Sequence, residues 1–179
     1  MKTTAMEQTS TEHSESPATG EADVDVEGGK FLTFFLGEEE YAIEILKVQE
    51  IIGLMPITPV PKMPEYIRGV LNLRGKIVPV MNLRTRFGFE EIEDTDETCI
   101  IVVQDEDYLM GVAVDKVSEV VDIETASIED VPSVGGQQSE YLAGLGKVGD
   151  SVKMIVEVHK VLFDVPDRVL ENDAGQQQE

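Results

Sequence analysis

The second half of this chain repeats the first, and that repeat restricts the architectures open to it. Tyr41-Ala-Ile-Glu-Ile-Leu-Lys-Val-Gln-Glu-Ile-Ile52 lies over Met110-Gly-Val-Ala-Val-Asp-Lys-Val-Ser-Glu-Val-Val121 at an offset of 69. Ala42/Gly111, Ile43/Val112, Ile45/Val114, Lys47/Lys116, Val48/Val117, Glu50/Glu119, Ile51/Val120 and Ile52/Val121 agree in type. Further on, Tyr66/Tyr141, Ile67/Leu142, Gly69/Gly144, Val80/Ile155, Met81/Val156 and Leu83/Val158 agree at an offset of 75, so an insertion falls within residues 122–140. One repeat of about 65 residues buries too little surface to stand alone, so the two must pack together along an apolar seam. Runs of short strands with closely spaced turn signals and no long helix predict an all-β protein. Its form is two SH3-like five-stranded barrels related by duplication, with short helical segments.

Within each repeat the local signals are those of strands. Phe31-Leu-Thr-Phe-Phe-Leu36 begins the ordered part, and Tyr41 to Ile45 alternates with Glu44 facing outward. The β-branched content favours strand on to Ile52, although Val48, Ile51 and Ile52 also suit a helix. Pro56, Pro59, Pro61 and Pro64 exclude a helix from 53–64 and leave at most a short edge strand at Ile57-Thr58. Pro64 to Ile67 reads as a helical turn, and Arg84 to Phe89 as a short helix or turn. The stretch Gly69-Val-Leu-Asn-Leu-Arg-Gly-Lys-Ile-Val-Pro-Val-Met-Asn-Leu83 reads as a β-hairpin with its turn at Leu73-Arg74-Gly75-Lys76. Gly75 supplies the positive φ of a tight turn. Arg74 then stands at the tip in water with nothing in the hairpin to pair with. Pro79 cannot donate a ladder hydrogen bond, so its strand is an edge or carries a bulge. The repeat has Lys147-Val-Gly-Asp150 at the corresponding tip, so it keeps a glycine and lacks the arginine.

Charge narrows the function. There are 14 Lys+Arg against 36 Asp+Glu, a net −22. Residues 1–29 carry −6 and residues 168–179 carry −2, which leaves −14 for 30–167. Such a body repels phosphate backbones and anionic lipid, so no nucleic acid and no membrane insertion are expected. The one local basic cluster is Arg68, Arg74, Lys76, Arg84 and Arg86, on or beside the hairpin. The sequence of 1–29, poor in apolar residues, and that of 168–179 read as disordered tails. Glu90 to Glu97 reads as a solvated acidic connector. No span or signal segment is legible, and a cytoplasmic protein is the simplest expectation.

Catalytic chemistry is not legible either. Cys99, the single cysteine, sits in an apolar run as a small hydrophobe. His13 falls in the tail, and His159 follows Val158 at a strand end, where a surface or cap role is commoner than a ligand role. No Cys/His set has metal spacing, and the glycine pairs lack the context of a phosphate loop. The reading is of no catalytic residues, no metal and no cofactor.

The segments Gly37 to Ile52, Ile57-Thr-Pro-Val-Pro61, Ile67-Arg-Gly-Val-Leu-Asn-Leu-Arg-Gly-Lys-Ile-Val-Pro-Val-Met-Asn-Leu83 and Glu140-Tyr-Leu-Ala-Gly-Leu-Gly146 resemble the bacterial chemotaxis coupling family CheW. The resemblance covers about 30–167. It implies two intertwined barrels, a first over about 36–90 completed by an exchanged terminal strand and a second over about 98–165. It implies no catalysis. It implies an adaptor, recruited to membrane receptor arrays, between the cytoplasmic tip of methyl-accepting chemotaxis receptors and the CheW-like domain of the histidine kinase CheA. The receptor-binding positions that carry over are Val48, Glu50, Gly69 and Arg74. A paralogue serving twitching motility or development is the alternative. The absence of a kinase core and a receiver domain favours a stand-alone adaptor over the same domain in CheA or CheV.

Overall fold

The computed structural model describes residues 26–132 and 140–163. In the first half, β1 (Gly29–Leu36), β2 (Glu39–Glu44), β3 (Val48–Gly53), β4 (Ile67–Leu73) and β5 (Lys76–Asn82) lead into the short helix α1 (Leu83–Arg86). In the second, β6 (Cys99–Asp105), β7 (Tyr108–Val114), β8 (Lys116–Ile123), β9 (Ile128–Glu129), β10 (Leu142–Val148) and β11 (Ser151–Val156) lead into α2 (Val158–Phe163). The duplication is visible element by element. β1, β2 and β3 correspond to β6, β7 and β8, and β4, β5 and α1 to β10, β11 and α2. The insertion holds a 3-10 turn at Thr125–Ser127, and the rest of it, 133–139, lies outside the described residues.

The sheets do not follow the halves of the sequence. One sheet has the order β3-β6-β7-β5-β4 and the other β8-β1-β2-β11-β10-β9. Residues 99–114, expected in the second unit, therefore complete the first, and residues 29–44 complete the second. The cause lies at two equivalent crossovers. A strand continuing from Tyr41 to Ile52 was expected, but a 3-10 turn at Ile45–Lys47 ends β2 and carries the chain to the other sheet. Asp115 does the same between β7 and β8. Two parallel junctions result, β5 with β7 and β2 with β11. The two-residue β9 in one sheet answers the single Thr58–Val70 bridge in the other.

Each sheet curls around a small core of its own. Leu71, Val78, Val80, Ile100, Val102 and Ala113 fill one. Val26, Phe31, Ala42, Ile123 and Ile155 fill the other. Order therefore begins before Phe31, since Val26 is buried and the Gly28 N–H donates to Thr125 Oγ1 at 2.8 Å. The earlier part of the acidic tail, 1–25, and the C-terminal residues 164–179 lie outside the described residues.

The largest apolar cluster is the seam between the sheets. Leu32, Phe34, Tyr41 and Ile43 on one side meet Ile101, Val103, Met110 and Val112 on the other, with Leu83, Val158 and Leu162 from the helices. An aromatic row runs through it, with centroid separations of 5.7 Å for Phe34–Tyr41, 5.5 Å for Tyr41–Phe87 and 5.5 Å for Phe87–Tyr141. These separations are within the attractive range for ring pairs. Tyr66 and Tyr141, equivalent in the repeat, hold the Arg86 guanidinium between them at 4.4 and 4.7 Å. At the β2–β11 junction, Lys153 is paired with Glu40 and both are largely buried. Pro79 is neither on an edge strand nor at a bulge. Pairing of β5 with β7 starts only at Val80, so the missing N–H falls where the strand has a partner on the β4 side alone.

Because strands are exchanged and the seam is shared, neither unit can unfold while the other stays intact. A single calorimetric transition is expected, with two resolved transitions counting against the shared core. Phe34→Ala, removing a ring with no exposed surface, should cost about 3–5 kcal/mol of global stability in denaturant melts.

Candidate functional site

The hairpin turn is tighter than one glycine would make it. Both central residues have positive φ, 54° at Arg74 and 86° at Gly75, as a type I′ turn requires. Asn72 Oδ1 accepts from the Gly75 N–H at 2.8 Å and fixes the loop. In the repeat, the position of Arg74 is held by Gly149, with φ 59°. An arginine thus occupies a left-handed site for which glycine is the unstrained choice, and such strain persists only where the surroundings hold it.

Asn72 fixes the backbone there, and Glu50 orients the side chain. Arg74 Nη1 and Nη2 donate to the two Glu50 carboxylate oxygens at 2.9 Å each. As expected, the arginine has no partner within the hairpin; its partner comes from β3, 24 residues away in the sequence. β3 and β4 are the two edges of their sheet, so this bidentate pair bridges from one edge strand to the tip of the hairpin that contains the other. The glutamate side chain is 25% exposed and the arginine 77%, which leaves the outer edge of the guanidinium in water. Its remaining N–H donors can meet a second acceptor there.

Val48 lies opposite Val103 and packs with it against the seam, whereas Glu50 lies opposite Val102, on the face that carries Ile52 and the core of its own sheet. The register against β6 slips between Val48 and Glu50, a local bulge that bends the strand. Val48 is half-buried against the seam, and Ile52 packs on the core of its own sheet. Ile51, Leu54, Met55 and Ile77 are exposed apolar side chains on β3, just after it, and on β5.

Gly69 is placed apart from these three. It lies on β4 about 16 Å along the chain from Arg74, at strand rise. It is buried, with φ 143°, under the Thr58–Val70 bridge. A Cβ there would lie 2.1 Å from the Thr58 carbonyl oxygen. Its counterpart Gly144 sits under β9 in the same way, with 3.1 Å from such a Cβ to the Glu129 carbonyl. Gly69 therefore serves close approach of the 57–59 segment, and offers no surface of its own.

The sequence cluster of basic residues is not a basic patch. Arg68 pairs with Asp94, Arg74 with Glu50 and Arg84 with Asp115, Arg86 lies between rings, and Lys76 is exposed at the start of β5. The acidic connector 90–97 is accordingly tied down by Arg68 at Asp94 and by Lys116 at Glu97.

One cluster escaped the sequence reading. Asp105, 4% exposed, accepts from Lys47 and lies 2.7 Å from His159 Nδ1. Burial pushes its carboxyl upward, but the bonds to Lys47 and then His159 outweigh burial and hold it below the ordinary value. The same bond raises Lys47 against its burial. Glu44, raised by burial and then by Glu157, lies beside them. Residues 47, 105 and 159 come from three distant segments, so no local pattern could have joined them.

A family model described as the CheW-like domain matches residues 30–165. The chemotaxis protein CheW of Klebsiella aerogenes is 38% identical over 148 residues, covering 82% of this chain and 89% of that protein. The chemotaxis protein CheW of Bacillus subtilis is 34% identical over 152 residues, covering 83% and 91%. The crystal structure of the scaffolding protein TtCheW from Thermoanaerobacter tengcongensis superposes with a TM-score of 0.71 at 36% identity, covering 75% of this chain and 92% of that one. A duplicated pair of units with exchanged strands, one sheet of five strands and one of six, matched by the family model over residues 30–165, makes this chain a member of the CheW-like domain family.

Proposed function

We propose that this chain is a non-catalytic chemotaxis adaptor that joins the cytoplasmic tip of methyl-accepting receptors to the histidine kinase CheA at receptor arrays. Two lines support the reading. The Klebsiella aerogenes and Bacillus subtilis relatives, similar along most of their length, are chemotaxis proteins, and the similar crystal structure is that of a scaffolding protein. The observation that carries it is Arg74. An arginine stands in a left-handed turn position that the duplicated unit gives to glycine, and Glu50 fixes it with its outer edge toward solvent. A strained, preorganised cation on one of two equivalent tips is better explained by a partner than by folding.

The partner is a helical hairpin, and the contact has two parts. Arg74 binds a carboxylate or a helix-end carbonyl on it, a charge-assisted bond. Val48 and the exposed apolar side chains around β3 meet its apolar stripe. Glu50 acts through Arg74, and Gly69 acts by letting the 57–59 segment lie against β4.

Arg74→Glu should abolish receptor pull-down and leave the far-ultraviolet spectrum unchanged; retained binding sinks the assignment. The exchange pair Glu50→Arg with Arg74→Glu separates the roles. It restores the internal ion pair but reverses the outer charge, so binding should stay lost; recovery would mean that Arg74 serves only the fold. Gly69→Ala, forced against the Thr58 carbonyl at positive φ, should cost about 2–3 kcal/mol in denaturant melts. Its pull-down should weaken with that loss, whereas an unchanged midpoint would argue against the close-approach role.

A further inference from the structure

The two crossovers between sheets are pinned in the same way. At the β7–β8 crossover, Arg84 from α1 donates through Nε to Asp115 at 2.9 Å, with both side chains mostly buried. The residue of α2 equivalent to Arg84 is His159. It meets Asp105 at 2.7 Å, and Asp105 in turn accepts from Lys47, the last residue of the β2–β3 crossover. In both cases a basic residue at the start of a helix reaches a carboxylate that fixes a crossover. In the second the carboxylate also takes Lys47, where Asp115 takes the Gly37 N–H, and the anchor is weaker, since the His159 side chain is 55% exposed and Arg84 only 16%.

The crossover fixed by Lys47 runs straight into Val48 and Glu50. The bulge lies immediately after it, and a bulge leaves the strand locally short of ladder bonds. Beyond the bulge, Ile52 is held by the sheet core. Before it, the side-chain hydrogen bond that holds the crossover is the one to Asp105. Asp105 itself stands two residues beyond Val103, the partner of Val48 across the ladder. On the other flank, the His159 ring lies 4.2 Å from that of Phe163, and Phe163 packs edge-on to Tyr108 at 4.8 Å. Helix α2, the β6–β7 hairpin and the entry to β3 therefore form one contiguous network around a single buried carboxylate.

We propose that Asp105 is a positioning residue for the β3 site: it couples α2 to the strand that presents Val48 and Glu50, and so sets where Arg74 is held. Its carboxylate is out of solvent and out of reach of a docking helix, so any effect on binding passes through Lys47. The binding half of this inference rests on the receptor reading above; the positional half does not.

The test compares the full chain with Asp105→Asn, His159→Ala and His159→Gln. Amide hydrogen exchange is read over Val48 to Ile51 and over β10 and β11 as an internal control. Affinity is read against a peptide spanning the receptor's cytoplasmic hairpin tip. Losing a charge-assisted bond at the strand entry should speed exchange over Val48 to Ile51 and weaken binding by about tenfold in Asp105→Asn. His159→Ala should show a smaller change in the same direction, and β10 and β11 should not change. His159→Gln, which can still donate to Asp105, should recover most of the difference. Unchanged exchange over β3 in both Asp105→Asn and His159→Ala overturns the coupling whatever the binding data show. A general rise in exchange across both sheets also overturns it, because the carboxylate would then serve only global stability. Faster β3 exchange in the variants of a chain that never binds the receptor peptide would refute the receptor reading and keep the positional link. If Asp105→Asn does not fold, His159→Ala, altered on an exposed ring, decides the matter alone.

Discussion

The apolar seam between the two sheets is the interaction on which everything else depends. Each sheet alone encloses only a few side chains, too little to offset the ordering of its own strands. Phe34, Tyr41 and Ile43 are committed to the seam from one sheet, and Ile101, Met110 and Val112 from the other. The chain reaches that arrangement by leaving one sheet after β2 and the other after β7, so each sheet is built from both sequence halves. Exchange makes the seam obligatory, because each half supplies strands that the opposite sheet cannot do without.

The crossovers that produce the exchange also generate the site. The 3-10 turn at Ile45–Lys47 delivers β3 to the edge of its sheet, and the bulge after Val48 aims Glu50 at the hairpin tip. Without that delivery, Arg74 would be the unpaired surface arginine its local sequence suggests. With it, the arginine becomes a cation of fixed direction, oriented by an ion pair from a different strand. Exposed pairs of this kind add little to stability in general, so the value of this one lies in orientation.

Duplication turns one half into a control for the other. Gly69 and Gly144 are shared because both repeats need a short strand to cross closely over β4 or β10. Arg74 and Gly149 differ because only one tip carries a directed cation. Arg84 and His159 both secure a crossover, the first directly on Asp115 and the second through Asp105. Shared features thus belong to the fold, and departures mark where one unit has been adapted.

Much of this was legible in the residues. The two offsets fixed which elements correspond, the hydrophobic runs fixed nearly every strand, and Leu73-Arg74-Gly75-Lys76 fixed the hairpin turn. These are local properties, dictated by side-chain periodicity and by the φ values that glycine permits. The assignment of strands to sheets was not legible, because a crossover at Ile45–Lys47 and a continuous strand have the same local pattern. Pairings between distant residues were hidden for the same reason: Glu50 with Arg74, Asp105 with Lys47 and His159, and Thr58 over Gly69 are separated by 11 residues or more of chain. The sequence by itself determined a duplicated all-β protein with one unusual arginine. Tertiary structure decided what that arginine pairs with, because Glu50 meets the hairpin tip only once the sheet curls and brings β3 and the β4–β5 hairpin together.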